Sequence, residues 1–159
     1  GDHVIAAKKG VNLPDRASQV AMMAQMQNLF DFPPAPKLDP ETGKLDPSKA
    51  TETEMLGQKV FFGKGNCADC HEPPVYMDNK MHDLRLERFY EAEMIADQYN
   101  IADGPIKTFT LRGIKDSPPY HHDGRLMTLE DTVEFFNLVF QLKLNEREKT
   151  ALVHFMRCL

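Results

Sequence analysis

The chain has no tryptophan, only three cysteines and no apolar run near the roughly 18 residues that a membrane helix needs. Its composition therefore gives no sign of a membrane span. Cations are the scarcer charge, with 19 Lys and Arg against 24 Asp and Glu for a net charge of −5. That balance speaks against a nucleic-acid partner, whose phosphates must be met by clustered cations. Three cysteines cannot form a complete disulfide framework. No basic start followed by an apolar centre and a small-residue cleavage site opens the sequence, so any targeting segment is expected to be missing from it. What is present, 159 residues with 42% apolar and 27% charged side chains, suits one globular domain and is short for two.

Two of the three cysteines stand together in Gly65-Asn66-Cys67-Ala68-Asp69-Cys70-His71. Cys-x-x-Cys-His is the attachment pattern for haem c: two thiols add to the vinyl groups and the adjacent imidazole reaches the iron. Two intervening residues set the sulfurs about one helical turn apart, with the histidine projecting from the same turn. The pattern would arise by chance in only about 0.2% of chains of this composition. A thioredoxin-like dithiol would need a strand-helix-strand setting that the flanks do not offer. A structural zinc site would need a second ligand pair, and the sequence has no other Cys-x-x-Cys. The expectation is one covalent haem c on Cys67 and Cys70, with His71 as proximal iron ligand. Because haem c is attached outside the cytoplasm, the protein is expected to be periplasmic or otherwise exported.

The surrounding periodicity is helical. Met22, Met23, Met26, Leu29 and Phe30 share one face behind an Asp15 cap, a stripe read as core, with iron ligation by a methionine as the alternative. From Phe32 to Lys49, five prolines and Gly43 forbid a continuous helix and read as an extended linker. Capping boxes at Thr51/Glu54, Thr128/Asp131 and Asn145/Glu148 open three further helices. The first delivers the Cys-x-x-Cys-His turn. It is expected to pack on the last through Phe61, Leu152 and Phe155. A helix-like piece near Leu84 to Tyr99 lies in an otherwise irregular stretch, and no segment reads as a strand. The predicted fold class is all-α: a cytochrome c-like haem domain over residues 51–159, preceded over residues 1–50 by a helix and a Pro-rich linker.

Four blocks go beyond a generic cytochrome: Gly57 to Pro74, Thr108-Phe109-Thr110-Leu111-Arg112-Gly113, Pro118-Pro119-Tyr120-His121-His122-Asp123-Gly124-Arg125 and Thr128-Leu129-Glu130-Asp131. In this order they resemble the C-terminal haem domain of the bacterial di-haem cytochrome c peroxidases and the related methylamine-utilisation di-haem enzyme. The resemblance implies electron transfer by this haem, to a redox partner protein or a second haem domain, with hydrogen peroxide as substrate of the whole enzyme. It also implies a possible calcium between the two domains. The region before Thr51 looks like the tail of a preceding domain, so the chain is read as a piece of a di-haem protein, with a stand-alone mono-haem protein as the competing reading. A haem with an open distal face acting itself as a peroxidase, or as a small-ligand sensor, is the functional alternative.

The same resemblance carries His122, Arg112 and Arg125 over as residues near the haem. The two guanidinium groups are candidates for the propionates, against the alternative of solvated surface charges. His121 is read as a bystander, His82 as a loop histidine or a ligand, and Cys158 as a small buried apolar residue. In the peroxidases a methionine ligates iron fourteen residues after the histidine of the His-Asp-Gly block, and the methylamine-utilisation enzyme has a tyrosine there. This sequence has Phe136, which has no lone pair to give. The expectation is a five-coordinate or weakly water-ligated iron beneath Phe136, with Met127 the leading protein alternative and Met81, Met94 and His82 behind it.

Overall fold

The computed structural model of the chain describes residues 15–86, 93–100 and 104–159. They fall into two compact units divided between Phe32 and Pro33. The described part of the first holds α1 (Arg16–Gln27), capped by Asp15, whose carboxylate accepts from the Ser18 N–H. No residue of α1 is buried, and Met22, Met23, Met26, Leu29 and Phe30 are all more than half exposed. Helical spacing aligned the methionines on one face, but within the described part of this unit that face is exposed, where a core stripe was expected.

The second unit is mostly helical, with α2 (Glu52–Phe62), α3 (Leu129–Val139) and α4 (Glu146–Met156). Each begins at the capping box read from sequence: Thr51 with Glu54, Thr128 with Asp131, Asn145 with Glu148. In each box the cap side chain and the third helical residue satisfy one another's backbone N–H, which fixes where the helix starts. As expected, α2 packs on α4. Phe61 (1% exposed) meets Phe155 (0%) edge to face, ring centroids 5.1 Å apart, and Leu152 lies in the same core. The closest approach is at Gly57, where a Cβ would sit 1.9 Å from the Ala151 carbonyl oxygen. A glycine hydrogen is what lets these two backbones touch.

Two features depart from the sequence reading. The Pro-rich segment is packed: Leu38 and Leu45 pair through an isolated β-bridge and are both buried in the core around Phe61 and Phe155. Prolines excluded a helix there, but they do not oppose burial. Short strands are also present. β1 (Met81–Asp83) pairs antiparallel with β4 (Pro105–Lys107), and β2 (Glu93–Ile95) with β3 (Gln98–Asn100). The last two form a hairpin where a helix-like piece was expected. Its two turn residues, Ala96 and Asp97, both have positive φ, the geometry that matches strand twist in a two-residue loop. The middle of that expected piece lies outside the described residues.

Candidate functional site

α2 ends at Phe62, and the Gly65 N–H returns to the Val60 carbonyl (2.8 Å). A Cβ at Gly65 would lie 2.9 Å from that carbonyl oxygen and 3.2 Å from the Cys67 sulfur, so this position admits little but glycine. Asn66 then turns through the left-handed region (φ 50°) into a single 3₁₀ turn, Cys67–Asp69. The His71 N–H closes the turn on the Cys67 carbonyl at 3.0 Å. One tight turn anchored to the end of α2 thus supplies both thiols and the imidazole.

Burial pushes the Cys67 thiol up to about 12, and burial with the nearby Asp78 and Asp69 carboxylates raises Cys70 as well. These surroundings oppose a thiolate, the form that a zinc ligand or a reactive dithiol requires. A thioether is neutral and is not opposed. Burial also lowers the proton affinity of His71, partly offset by the Tyr76 and Phe109 backbones. The imidazole is therefore neutral at pH 7, the state in which it can ligate a metal.

The orientation of His71 comes from a residue that sequence reasoning passed over. His71 Nδ1 lies 3.0 Å from the Tyr76 carbonyl oxygen. Nδ1–H donated to a carbonyl is the arrangement that fixes a histidine's tautomer when Nε2 binds iron. Tyr76 is 0% exposed with φ +60°, and its hydroxyl donates to the Gly43 carbonyl at 2.5 Å. The Thr110 hydroxyl donates to the neighbouring Val75 carbonyl (2.5 Å), and the Leu111 N–H to the Tyr76 carbonyl (3.3 Å). The Thr-Leu-Arg block therefore holds the strip that holds the histidine. Neither periodicity nor spacing marks Tyr76; only its contacts, 33 residues back and 35 forward, give it this place.

Arg112 of that block sends Nε to the Leu159 carbonyl (3.2 Å) and Nη2 to that of Pro33 (3.1 Å). In this structure it joins the two ends of the second unit. Arg125 pairs with Asp123, whose carboxyl burial would raise but which Arg125 and His121 hold well below the usual range. His122 is exposed, whereas the His121 side chain is 5% exposed, with Nδ1 3.3 Å from Asp123 and its ring 5.3 Å from that of Phe135. Asp78 accepts from His82 Nε2 (2.6 Å) and the Lys80 N–H (2.9 Å), and Cys70, Asp78 and His82 have ligand atoms within 4.8 Å of one another. His82 is thus brought beside Cys70 as partner of a buried carboxylate. Met127, Met81 and Met94 are all exposed. Phe136 on α3 stacks with Phe140, 5.9 Å apart and 17° from parallel. Cys158 is buried, with its thiol raised to about 11 by burial and Glu54.

The donor set, two neutral thiols one turn from an oriented neutral imidazole, fits haem c. So do the large apolar side chains left facing solvent, Phe109, whose backbone lies beside His71, and Phe140, just after the end of α3, since a macrocycle needs such surfaces to cover it.

No protein-family model matches the chain. Among curated proteins it is 29% identical to cytochrome-c peroxidase IdrP2 of Denitromonas iodatirespirans, over 73% of this chain and 42% of that protein. It is 30% identical to cytochrome c551 peroxidase of Nitrosomonas europaea, over 72% and 36% respectively. With methylamine utilization protein MauG of Methylorubrum extorquens it shares 30% identity over 65% of this chain and 33% of that one. The chain thus spans between a third and just over two fifths of the length of these relatives. Among solved structures, a MauG-like protein associated with microbial copper homeostasis has the same fold, with TM-score 0.58 and 20% identity over 70% of this chain and 48% of that one. Ordered blocks, a haem-type cysteine turn and these relatives together place the chain in the bacterial di-haem cytochrome c peroxidase and MauG family.

Proposed function

We propose that the chain carries one haem c, bound through thioethers at Cys67 and Cys70 with His71 Nε2 on the iron, and that it relays single electrons within a peroxidase-like protein. The observation that carries this reading is the Cys67–His71 turn, with His71 Nδ1 directed to the Tyr76 carbonyl. Bound haem iron supplies one-electron chemistry by cycling between ferric and ferrous states. The chain's own residues do the rest. Cys67 and Cys70 fix the macrocycle edge, Tyr76 aligns the proximal imidazole, and Phe61 and Phe155 pack against the Tyr76 ring that holds it in place. Peroxide, as substrate of a longer protein, and a second haem domain or small redox protein, as electron partner, belong to the same reading, as does an exported location.

Phe136 offers no donor for a sixth ligand, which favours a distal side open to small ligands over a conventional His/Met centre. The test is mass spectrometry of denatured protein made with a haem-attachment system, followed by ferric spectra with and without cyanide. One retained haem and a cyanide-sensitive, high-spin spectrum are expected. Complete loss of haem on denaturation would reject the attachment. A low-spin spectrum with a methionine-to-iron band, insensitive to cyanide, would restore the ordinary His/Met relay.

A further inference from the structure

Resting on the relay reading above, we infer that an open groove on the surface of α2 is the docking site for an acidic redox protein. The groove, about 480 Å³, is lined by Lys44, Met55, Leu56, Gln58, Lys59 and Phe62. No carboxylate is among these residues, although the chain carries a net charge of −5. Among the described residues neither Lys44 nor Lys59 has a carboxylate within ion-pair distance. Of the acids in the same segments, Asp39 is engaged by Thr42, Asp46 by Lys49 and Glu54 by Lys37, while Glu41 and Glu52 are exposed but do not line the groove. Two cations with no carboxylate partner therefore stand beside an apolar floor of Met55, Leu56 and Phe62. Lys44 Nζ stands 5.2 Å from the centre of the Phe62 ring, the aromatic part of that floor.

The groove is also connected to the proximal ligand by packing. Tyr76, whose carbonyl faces His71 Nδ1, has its ring 5.7 Å from that of Phe61, and the Phe61 ring is 5.4 Å from that of Phe62. Its hydroxyl ends on Gly43, the residue before Lys44. Both contacts lead toward the groove, one through the buried Phe61 ring and the other through the Gly43 backbone.

Composition and size then select the occupant. Electron-transfer encounters bury less surface than stable complexes, and a methionine and aromatic floor inside a polar rim is the usual composition of a contact patch. Opposite charge accelerates encounter and like charge suppresses it. The partner that fits is a redox protein whose exposed redox edge is rimmed by Asp and Glu; a basic one is turned away.

Haem-loaded full chain, chemically reduced, is mixed by stopped flow with oxidised plastocyanin, an acidic copper protein, and separately with oxidised mitochondrial cytochrome c, a basic one. The plastocyanin rate constant should fall as salt is added. Lys44→Glu with Lys59→Glu should lower it by about tenfold or more at low salt and raise the rate with cytochrome c. Retained haem and the ferric spectrum should match the parent, since both lysines are exposed. Phe62→Leu, which keeps both charges, should slow transfer while leaving the salt slope in place. A plastocyanin rate indifferent to the double reversal, or rising with salt, overturns the groove assignment. A pyridine haemochrome assay on the same samples separates that result from failure of the relay reading: absent covalent haem would overturn both.

Discussion

Replacing Gly57 with alanine sets two physical effects against each other. Helix propensity alone favours alanine over glycine inside a helix by about 1 kcal/mol. Packing opposes it, because the new Cβ would lie 1.9 Å from the Ala151 carbonyl oxygen, 2.6 Å from its carbon and 2.7 Å from the Phe155 Cβ. All three atoms belong to α4 and two are backbone, so no rotamer change relieves the overlap. Restoring an ordinary separation of about 3.5 Å parts the two helices by about 1.5 Å and opens the Phe61/Phe155 contact. Overpacking costs about 1–3 kcal/mol, and a backbone clash falls at the upper end. Against about 1 kcal/mol of propensity, the net loss is about 2 kcal/mol, which lowers the melting midpoint by roughly 4–8 °C in a chain of this length. Helix circular dichroism of the haem-loaded protein, parent and variant at one scan rate, measures this. A midpoint equal to or above the parent's would refute the close approach of α2 and α4.

Three further outcomes test other parts of the structure. Burial raises the proton affinity of Glu54, but Lys37 at 2.6 Å, the Thr51 N–H and Cys158 overcome it and hold the carboxyl at about 2. Stability from that depressed value is present above the unfolded pKa of about 4.5 and is lost as pH falls toward about 2. Urea unfolding should therefore show parent and Lys37→Met furthest apart near neutral pH and converging in acid; a gap constant with pH would be inconsistent with the pair. Thr110→Val removes the hydroxyl given to Val75 and should cost about 1–2 kcal/mol, while also shifting the haem reduction potential through the loosened His71 contact. An unchanged midpoint together with an unchanged potential would count against that support. Phe155→Ala, at the fully buried centre of the helix pair, should cost about 3–5 kcal/mol, and a melting curve matching the parent's would contradict its placement there.

What could be read from sequence was what local spacing encodes. A capping box involves residues three apart, so Thr51, Thr128 and Asn145 announced three helix starts without tertiary information. Apolar periodicity gave Phe61, Leu152 and Phe155 a common core because neither amphipathic helix can bury its face alone. Spacing failed where the outcome depends on what covers a surface. The methionines of α1 have the alignment of a core stripe, yet they are exposed, and alignment carries no statement about a partner. Leu38 and Leu45 sit in a segment whose prolines speak only of backbone geometry, and they are core.

The proximal side of the candidate site shows why the divide falls there. Cys67, Cys70 and His71 are legible because the proposed haem attachment would require them within five residues. The group that aims His71 obeys no such rule: the only requirement on the acceptor behind the imidazole is that a carbonyl oxygen be held still at the right place. Any residue type offers that carbonyl, so identity is silent. What distinguishes Tyr76 is its side chain, which is locked between Phe61, Phe155 and the Gly43 carbonyl and so immobilises the backbone that faces the histidine. Its hydroxyl gains a partner only because the Pro-rich segment folds back over the turn. The same fold-back puts Lys44 beside Phe62 and creates the cationic groove. A segment that composition marks as a joint therefore contributes both to the rigidity of the His71 imidazole and to the surface through which the proposed partner would be met.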